Sequence, residues 1–294
     1  MKKKQTALAR KLNKTGLLLC IPAMLIVVFA VYALGYALVM SFNSNKAIMA
    51  GTYNFIGWNN YIKVFTNKDI RAAVGNTLLY AVCTICIELV IGLVVSAALR
   101  KNVRGSGIAK VCIILPMMMA PIASGTIWRW MLTDRYGIIN HLLSFLNIQG
   151  PIWLADKIAA KAAVLMVSIW TAAPFVILVL LAAISGISDD IIEAARIDGA
   201  GDLQAYWYII FPHLKSAVAV ILLIRIPDAL KMYDIVYILT EGGPANSTQV
   251  ISYYIYNRGF TTLKFGEAAA ASFLLFVFIA FFSVIANKLI QRKG

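Results

Sequence analysis

Five carboxylates, Asp189, Asp190, Glu193, Asp198 and Asp202, fall within fourteen positions of a 294-residue chain that has only thirteen acidic residues in all. They lie in a polar, glycine-broken stretch between long apolar runs, reading EAARIDGAGDLQAYWYIIFP from Glu193 to Pro212. Carboxylates gathered in this way build a contact surface or an acid–base site. The second reading lacks a partner, because the two histidines, His141 and His213, are far apart in sequence and offer no dyad. A second set of charges, Arg225, Asp228, Lys231 and Asp234, interrupts a later apolar run, and Glu88 stands alone in an earlier one. Charge inside a membrane span is costly unless it faces a cavity or a partner. Arg225, Asp228, Ala229 and Met232 follow i, i+3, i+4, i+7 and share one helix face. Arg225 with Asp228, and Lys231 with Asp234, are also placed to neutralise each other, so cavity lining and intrahelical pairing both stay open. Glu88 fits a subunit interface or a cavity equally well.

The elements that must position these groups are membrane spans. The chain is 61% hydrophobic and 14% charged, with a mean hydropathy of +0.80; soluble domains sit near 45–50% and about 25%. The net charge of +14 is spread in short basic blocks beside apolar segments, which suits the anionic membrane face rather than nucleic acid. Cys20, Cys83, Cys86 and Cys112 all lie in apolar runs and read as small buried apolar residues, since no His or second pair completes a metal site around Cys83 and Cys86.

The expected fold is an all-α integral membrane protein with six transmembrane helices. A basic tail over 1–16 precedes span one at 17–40, which is too long for the core of a cleaved signal peptide. An external amphipathic loop at 41–71 carries Phe55, Trp58, Tyr61 and Phe65 at rough helical spacing, as interfacial segments do. The core, 72–290, holds spans two to six at about 72–99, 111–132, 162–184, 216–240 and 268–286. Pro116 and Pro121 predict a kink in span three, and the loop over 133–160, with Pro151 and Trp153, is predicted to lie on the surface. Arg129, between Trp128 and Trp130, reads as a snorkelling anchor. Segments on the side of the termini hold fifteen Lys and Arg residues against nine on the other, although they are the shorter set. The excess places both termini, and the loop over 185–215, in the cytoplasm.

Within that loop Ser188 is a natural N-cap, with Asp189 and Asp190 in the first turn. Ile187, Ile191, Ile192 and Ala195 make an apolar stripe, and Ala194 and Ala195 keep one face small. Gly199 and Gly201 stop the helix, and Leu203 to Phe211 reads as a second short helix ending at Pro212. The product is an amphipathic elbow suited to docking in a groove, although a plain connector helix would carry the same caps.

Glu193-Ala194-Ala195, with Gly199, Ile209 and Pro212 at their spacings, resembles the EAA loop of the permease subunits of ATP-binding-cassette importers. Phe211 stands for the usual leucine before the proline. Ser216 replaces a second proline, which predicts a less kinked start to span five. Tyr233 to Pro244, then Thr248, Tyr256, Phe260, Phe265-Gly266 and Ala268 to Ala271, is similar to the carbohydrate-uptake branch, in particular to the larger maltose-transporter permease type. The resemblance covers roughly residues 15–290. It implies that Glu193, Ala194, Ala195, Asp198, Gly199 and Pro212 form or shape a coupling helix seated in a cytoplasmic ATPase. It also places the solute pathway on the two flanking helices, at Ser168, Thr171, Ala172 and Phe175 and at Arg225, Ala229 and Met232; Asp228 joins this set from its place on the same helix face. Phe175, with Tyr233 or Trp170, would offer a stacking face.

The resemblance implies no catalytic residue and no metal or cofactor in this chain; ATP and Mg would be bound by partner ATPases. The absence of a G-x-x-x-x-G-K-[ST] motif agrees, since the chain has no P-loop of its own. Implied partners are a second homologous permease, a dimer of ATP-binding subunits, an extracellular or lipid-anchored solute-binding protein, a carbohydrate and membrane lipid. A proton- or ion-coupled carrier using Glu88, Asp228 and Asp234 as a relay is the alternative, and a membrane enzyme is a third class that no motif supports.

Overall fold

In lipid every backbone N–H and C=O has to be satisfied within its own segment, so long apolar runs become helices. The structure, a computed structural model, describes residues 2–100 and 105–291, with side chains at all of these except 2–19, 202, 203 and 289–291. The side chains of Lys2, Lys3, Lys4, Arg10, Lys11, Lys14, Asp202 and Leu203, and residues Lys101, Arg104, Arg292 and Lys293, all used in reading the sequence, lie outside what is described. No strand occurs among the described residues. The helices are α1 (Lys2–Ser41), α2 (Asn45–Met49), α3 (Asn59–Thr66), α4 (Lys68–Arg100), α5 (Ser106–Met118), α6 (Pro121–Met131), α7 (Ile138–Phe145), α8 (Lys157–Ser185), α9 (Asp189–Ile197) and α10 (Asp202–Ala205). A π-helical turn, Tyr206–Ile210, leads to α11 (Phe211–His213), followed by α12 (Lys215–Leu230), α13 (Asp234–Leu239), α14 (Ile251–Tyr256) and α15 (Phe265–Gln291). Among the described residues four helices are long and apolar enough to cross a membrane, or six segments if each of two bent pairs counts as one.

The bent pairs correct the expected spans. The third is not one kinked helix: α5 and α6 meet at 102°. Met119 and Ala120 are extended there and Pro121 opens α6, as a residue preceding proline and a helix first turn should. The fifth span does not run to Thr240. It ends at Leu230, past an internal Pro227, and Tyr233 leaves helical geometry before α13 begins. Its start is not straightened by Ser216 either, because Tyr206–His213 and Lys215–Leu230 are bent by 52°. The cysteines also differ from expectation: Cys20, Cys86 and Cys112 are exposed and Cys83 is partly so. Apolar side chains of a lone spanning chain face lipid or partners, not a core.

The chain divides into two compact units. The first joins Met1–Val64 with Arg258–Leu274. Its aromatic centre is Phe42, whose ring lies 5.2 Å from Trp58, 5.4 Å from Tyr61 and 6.0 Å from Phe55. Asn60 Nδ2 donates to the carbonyls of Ser41 and Asn43 at 2.8 and 2.9 Å, closing the turn after α1. Gly266 N donates to Asn45 Oδ1, and a Cβ on Gly266 would stand 2.6 Å from the carbonyl oxygen of Asn43. Gly266→Ala should therefore lower stability by about 1–3 kcal/mol through overpacking against main chain; thermal unfolding of the purified protein, compared with wild type, measures it.

The second unit, Phe65–Asn257 with Leu275–Gly294, holds α4 to α14 and the later part of α15. Helices α4 and α8 pack closely because Gly92 presents no side chain where Val176 and Leu180 lie. One apolar cluster, with Tyr80, Val164, Val167, Val236 and Leu239, takes Trp153 against it, so the loop over 133–156 is partly tucked in rather than lying on the surface. Trp153 Nε1 donates to Asn140 Oδ1 at 2.7 Å. A second cluster, with Val176, Leu180, Ile184, Ile210, Leu214 and Ile221, lies where α8 and α12 approach the elbow.

Candidate coupling elbow and solute cavity

Helix α9 begins as its sequence dictates, with Ser188 Oγ accepting from Asp190 N. Ile187 and Ile192 are buried in the second cluster, whereas Ile191 is exposed, so the apolar stripe is narrower than its spacing suggested. After α9, Gly199 takes φ +87°, a left-handed conformation that a side chain would strain. Gly201 N donates to Gln204 Oε1 as the second arm starts. Pro212 opens α11, between buried Ile210 and buried Leu214.

Two contacts that the sequence reading missed fasten this elbow to α4: Arg100 pairs with Asp189 at 2.6 Å, and Tyr206 Oη donates to the Leu93 carbonyl at 3.2 Å. Partners distant in sequence leave no local pattern to read. Glu193, Ala194, Asp198 and Gly199 are exposed and Ala195 partly so. Ile197 beside them is 86% exposed, a large apolar side chain aimed away from the protein and also unforeseen.

Ser168, Thr171, Ala172 and Phe175 from α8, Arg225, Asp228 and Ala229 from α12, and Met232 beyond it all line one cavity of about 440 Å³. Met232 is not on the predicted helix face, because α12 ends two residues earlier, yet the chain returns it to the same wall. Pro116, Met117, Met119 and Pro121, at the α5–α6 corner, also line it, as do Ile224, Lys231, Tyr233, Asp234 and Ile235. Only the prolines hinted at that contribution. Trp170 is not on the wall; its ring packs edge-on against Trp128 at 5.5 Å.

Glu88 is fully buried, and its two oxygens accept from Arg225 Nε and Nη2 at 2.9 Å each. This bidentate pair joins α4 to α12 and uses the Nε and Nη2 side of the Arg225 fork. Asp228 lies 3.7 Å from Arg225 and 2.8 Å from Lys231, so the intrahelical partner of Lys231 is Asp228 and not Asp234. Ser168 Oγ donates to the Val164 carbonyl and Thr171 Oγ1 to its own helix, which leaves these hydroxyls lone pairs to offer rather than protons. Two of the three carboxylates of a supposed proton relay are thus already paired. Arg129 is more than an anchor, since it donates to the Ile238 carbonyl at 3.0 Å and lies 3.7 Å from Glu241.

A cavity at a broken helix, flanked by two walls that an exposed elbow joins, suits a membrane transport subunit. Residues 88–293 match the family model of the binding-protein-dependent transport system inner membrane component. The chain belongs to that family and is a component of the plasma membrane. It is 32% identical over 234 residues, 80% of this chain and 79% of the relative, to the trehalose/maltose transport system permease protein MalF of Thermococcus litoralis. In fold it is similar to a chain of a bacterial ABC transporter that imports the acidic polysaccharide alginate, with a TM-score of 0.82, 21% identity and coverage of 97% and 98% of the two chains. A second structure of a bacterial alginate transporter, in complex with an alginate pentasaccharide-bound periplasmic protein, also scores 0.82 at 22% identity, covering 93% of each chain.

Proposed function

We propose that the chain is the permease subunit through which a neutral sugar or oligosaccharide, delivered by an extracellular solute-binding protein, enters the cell when partner ATPases close. One observation carries the mechanism: α8 and α12, the cavity's two principal walls, are the helices that the elbow connects. A push on α9 reaches both walls through Ile187, Ile192 and Ile210 in their shared cluster. Six spans with both termini cytoplasmic follow from the charge count when each bent pair makes one crossing, and the elbow then faces the ATPase. ATP and Mg are held by a dimer of those ATPase subunits, and a second homologous permease completes the pathway. The cycle is a shift between outward-open and inward-open populations.

The sugar reading rests on the Thermococcus relative's name, and neutrality on the cavity's charges. Arg225 and Lys231 are balanced by Asp228 and Asp234, with Glu88 behind, which gives an acidic glycan no excess of positive charge. The test is to reconstitute the chain with its co-purifying subunits and measure ATPase stimulation by receptor with a panel of neutral and uronic-acid oligosaccharides. Asp228→Ala should change uptake by about tenfold or less, as loss of a partly exposed polar contact does, without releasing the ATPase. Stimulation by no saccharide, or uptake that persists without ATP and collapses with the proton gradient, would sink the reading.

A further inference from the structure

Beyond the cavity rim, four tyrosines from two short helices come together. Tyr233 immediately precedes α13, Tyr237 lies on it, and Tyr253 and Tyr256 lie on α14. The Tyr233 ring is 5.4 Å from Tyr237 and 5.3 Å from Tyr256, Tyr237 is 5.4 Å from Tyr256, and Tyr253 lies 6.3–6.4 Å from the other three. All four remain partly exposed, whereas the neighbouring Val236, Leu239 and Tyr254 are sealed in the interior. Tyr233 also belongs to the cavity wall, so the cluster is continuous with the cavity.

The support beneath the rings is stiff. Thr248 Oγ1 donates to the Gly243 carbonyl at 2.8 Å and shares a hydrogen bond with Thr240 Oγ1 at 2.7 Å. The start of α14 is tied to α4, where Asn76 Nδ2 donates to the Gln249 carbonyl and Ile251 N to Thr77 Oγ1. Gly242, at φ +78°, passes so close to the Tyr253 ring that a Cβ there would approach it to 2.9 Å. Burial, reinforced by Glu241, raises the Tyr253 pKa. Rings fixed before a ligand arrives lose little freedom when they bind it, and tyrosines combine apolar faces with hydroxyls, the pairing that a sugar's C–H face and hydroxyl rim require.

We propose that Tyr233, Tyr237, Tyr253 and Tyr256 form a saccharide subsite adjoining the cavity, which holds the units of an oligosaccharide that extend past the rim. This rests on the sugar-importer reading. It predicts a dependence on solute length: a short saccharide is held within the cavity and touches at most Tyr233, whereas a long one also reaches Tyr237 and Tyr256.

The experiment uses the full transporter in proteoliposomes with its receptor, and compares uptake of trehalose, maltose, maltotriose and maltopentaose. Tyr237→Leu and Tyr256→Leu should each raise KM for maltopentaose about two- to tenfold, the span of one aromatic contact. The KM for trehalose and maltose and the kcat for all four should stay at wild-type values. Tyr237→Phe and Tyr256→Phe keep the ring and should keep most of the affinity. A KM rise equal at all lengths, weaker receptor binding, poorer recovery of the assembled complex, or a phenylalanine variant as impaired as the leucine one would overturn the subsite. Failure of the wild type to take up any of the four would overturn the sugar reading, and the subsite with it.

Discussion

Replacing Glu88 with alanine is expected to destabilise the protein by about 3–5 kcal/mol, as removing one partner of a buried ion pair does. Glu88 has no exposure and Arg225 only 13%, so the arginine left behind loses its bidentate partner with little solvent to replace it. Its remaining neighbour, Asp228 at 3.7 Å, is already engaged by Lys231. The pair as a whole is not expected to be essential for stability, because well-packed apolar replacements of both partners are often neutral or better. Glu88→Leu with Arg225→Met should thus recover most of the lost stability. Thermal unfolding of the purified protein, followed by tryptophan fluorescence, separates these cases. A single Glu88→Ala variant that melts with wild type would show that the pair does not hold α4 to α12.

Glu193→Lys is expected to reduce uptake by about tenfold or more, since placing a like charge across an interface costs several kcal/mol and one decade is about 1.4 kcal/mol. The side chain is exposed on α9, so the fold and its melting temperature should not change. ATP hydrolysis in the reconstituted complex should continue but no longer respond to loaded receptor. Ile197→Ser offers a companion without charge, because the same outward face loses its large apolar contact. Normal coupling in both variants would return α9 to the role of a connector.

What was legible in the sequence follows from where the determinants lie. Ser188 and Gly199 act on their own backbone, so the first arm of the elbow and its stop were readable from sequence. The second arm, expected as one helix ending at Pro212, passes through a π-helical turn and runs on to His213. The cavity residues on α8 and α12 were placed by the resemblance to importer permeases, and all of them line one cavity. The breaks were harder to place. Pro116 and Pro121 announced a disturbance but not its angle, and the end of α12 at Leu230 depends on how Pro227 and Tyr233 settle against neighbours. Least legible were pairings across more than 80 residues, Glu88 with Arg225 and Arg100 with Asp189, because no local period links such partners.

The corner between α5 and α6 has one more consequence. Their 13 and 11 residues make rods of about 20 and 16 Å, neither long enough alone for about 30 Å of hydrocarbon. Main chain that leaves helical geometry at membrane depth is tolerated only beside protein or water, and Met119 and Pro121 do line the cavity. The cavity is thus bordered by the break itself. Its two arms are held by different neighbours, α5 by α8 and α6 mainly by α13. Opening or tightening the 102° angle, through the torsions of Met119 and Ala120, would therefore move Met119 and Pro121 where they line the cavity.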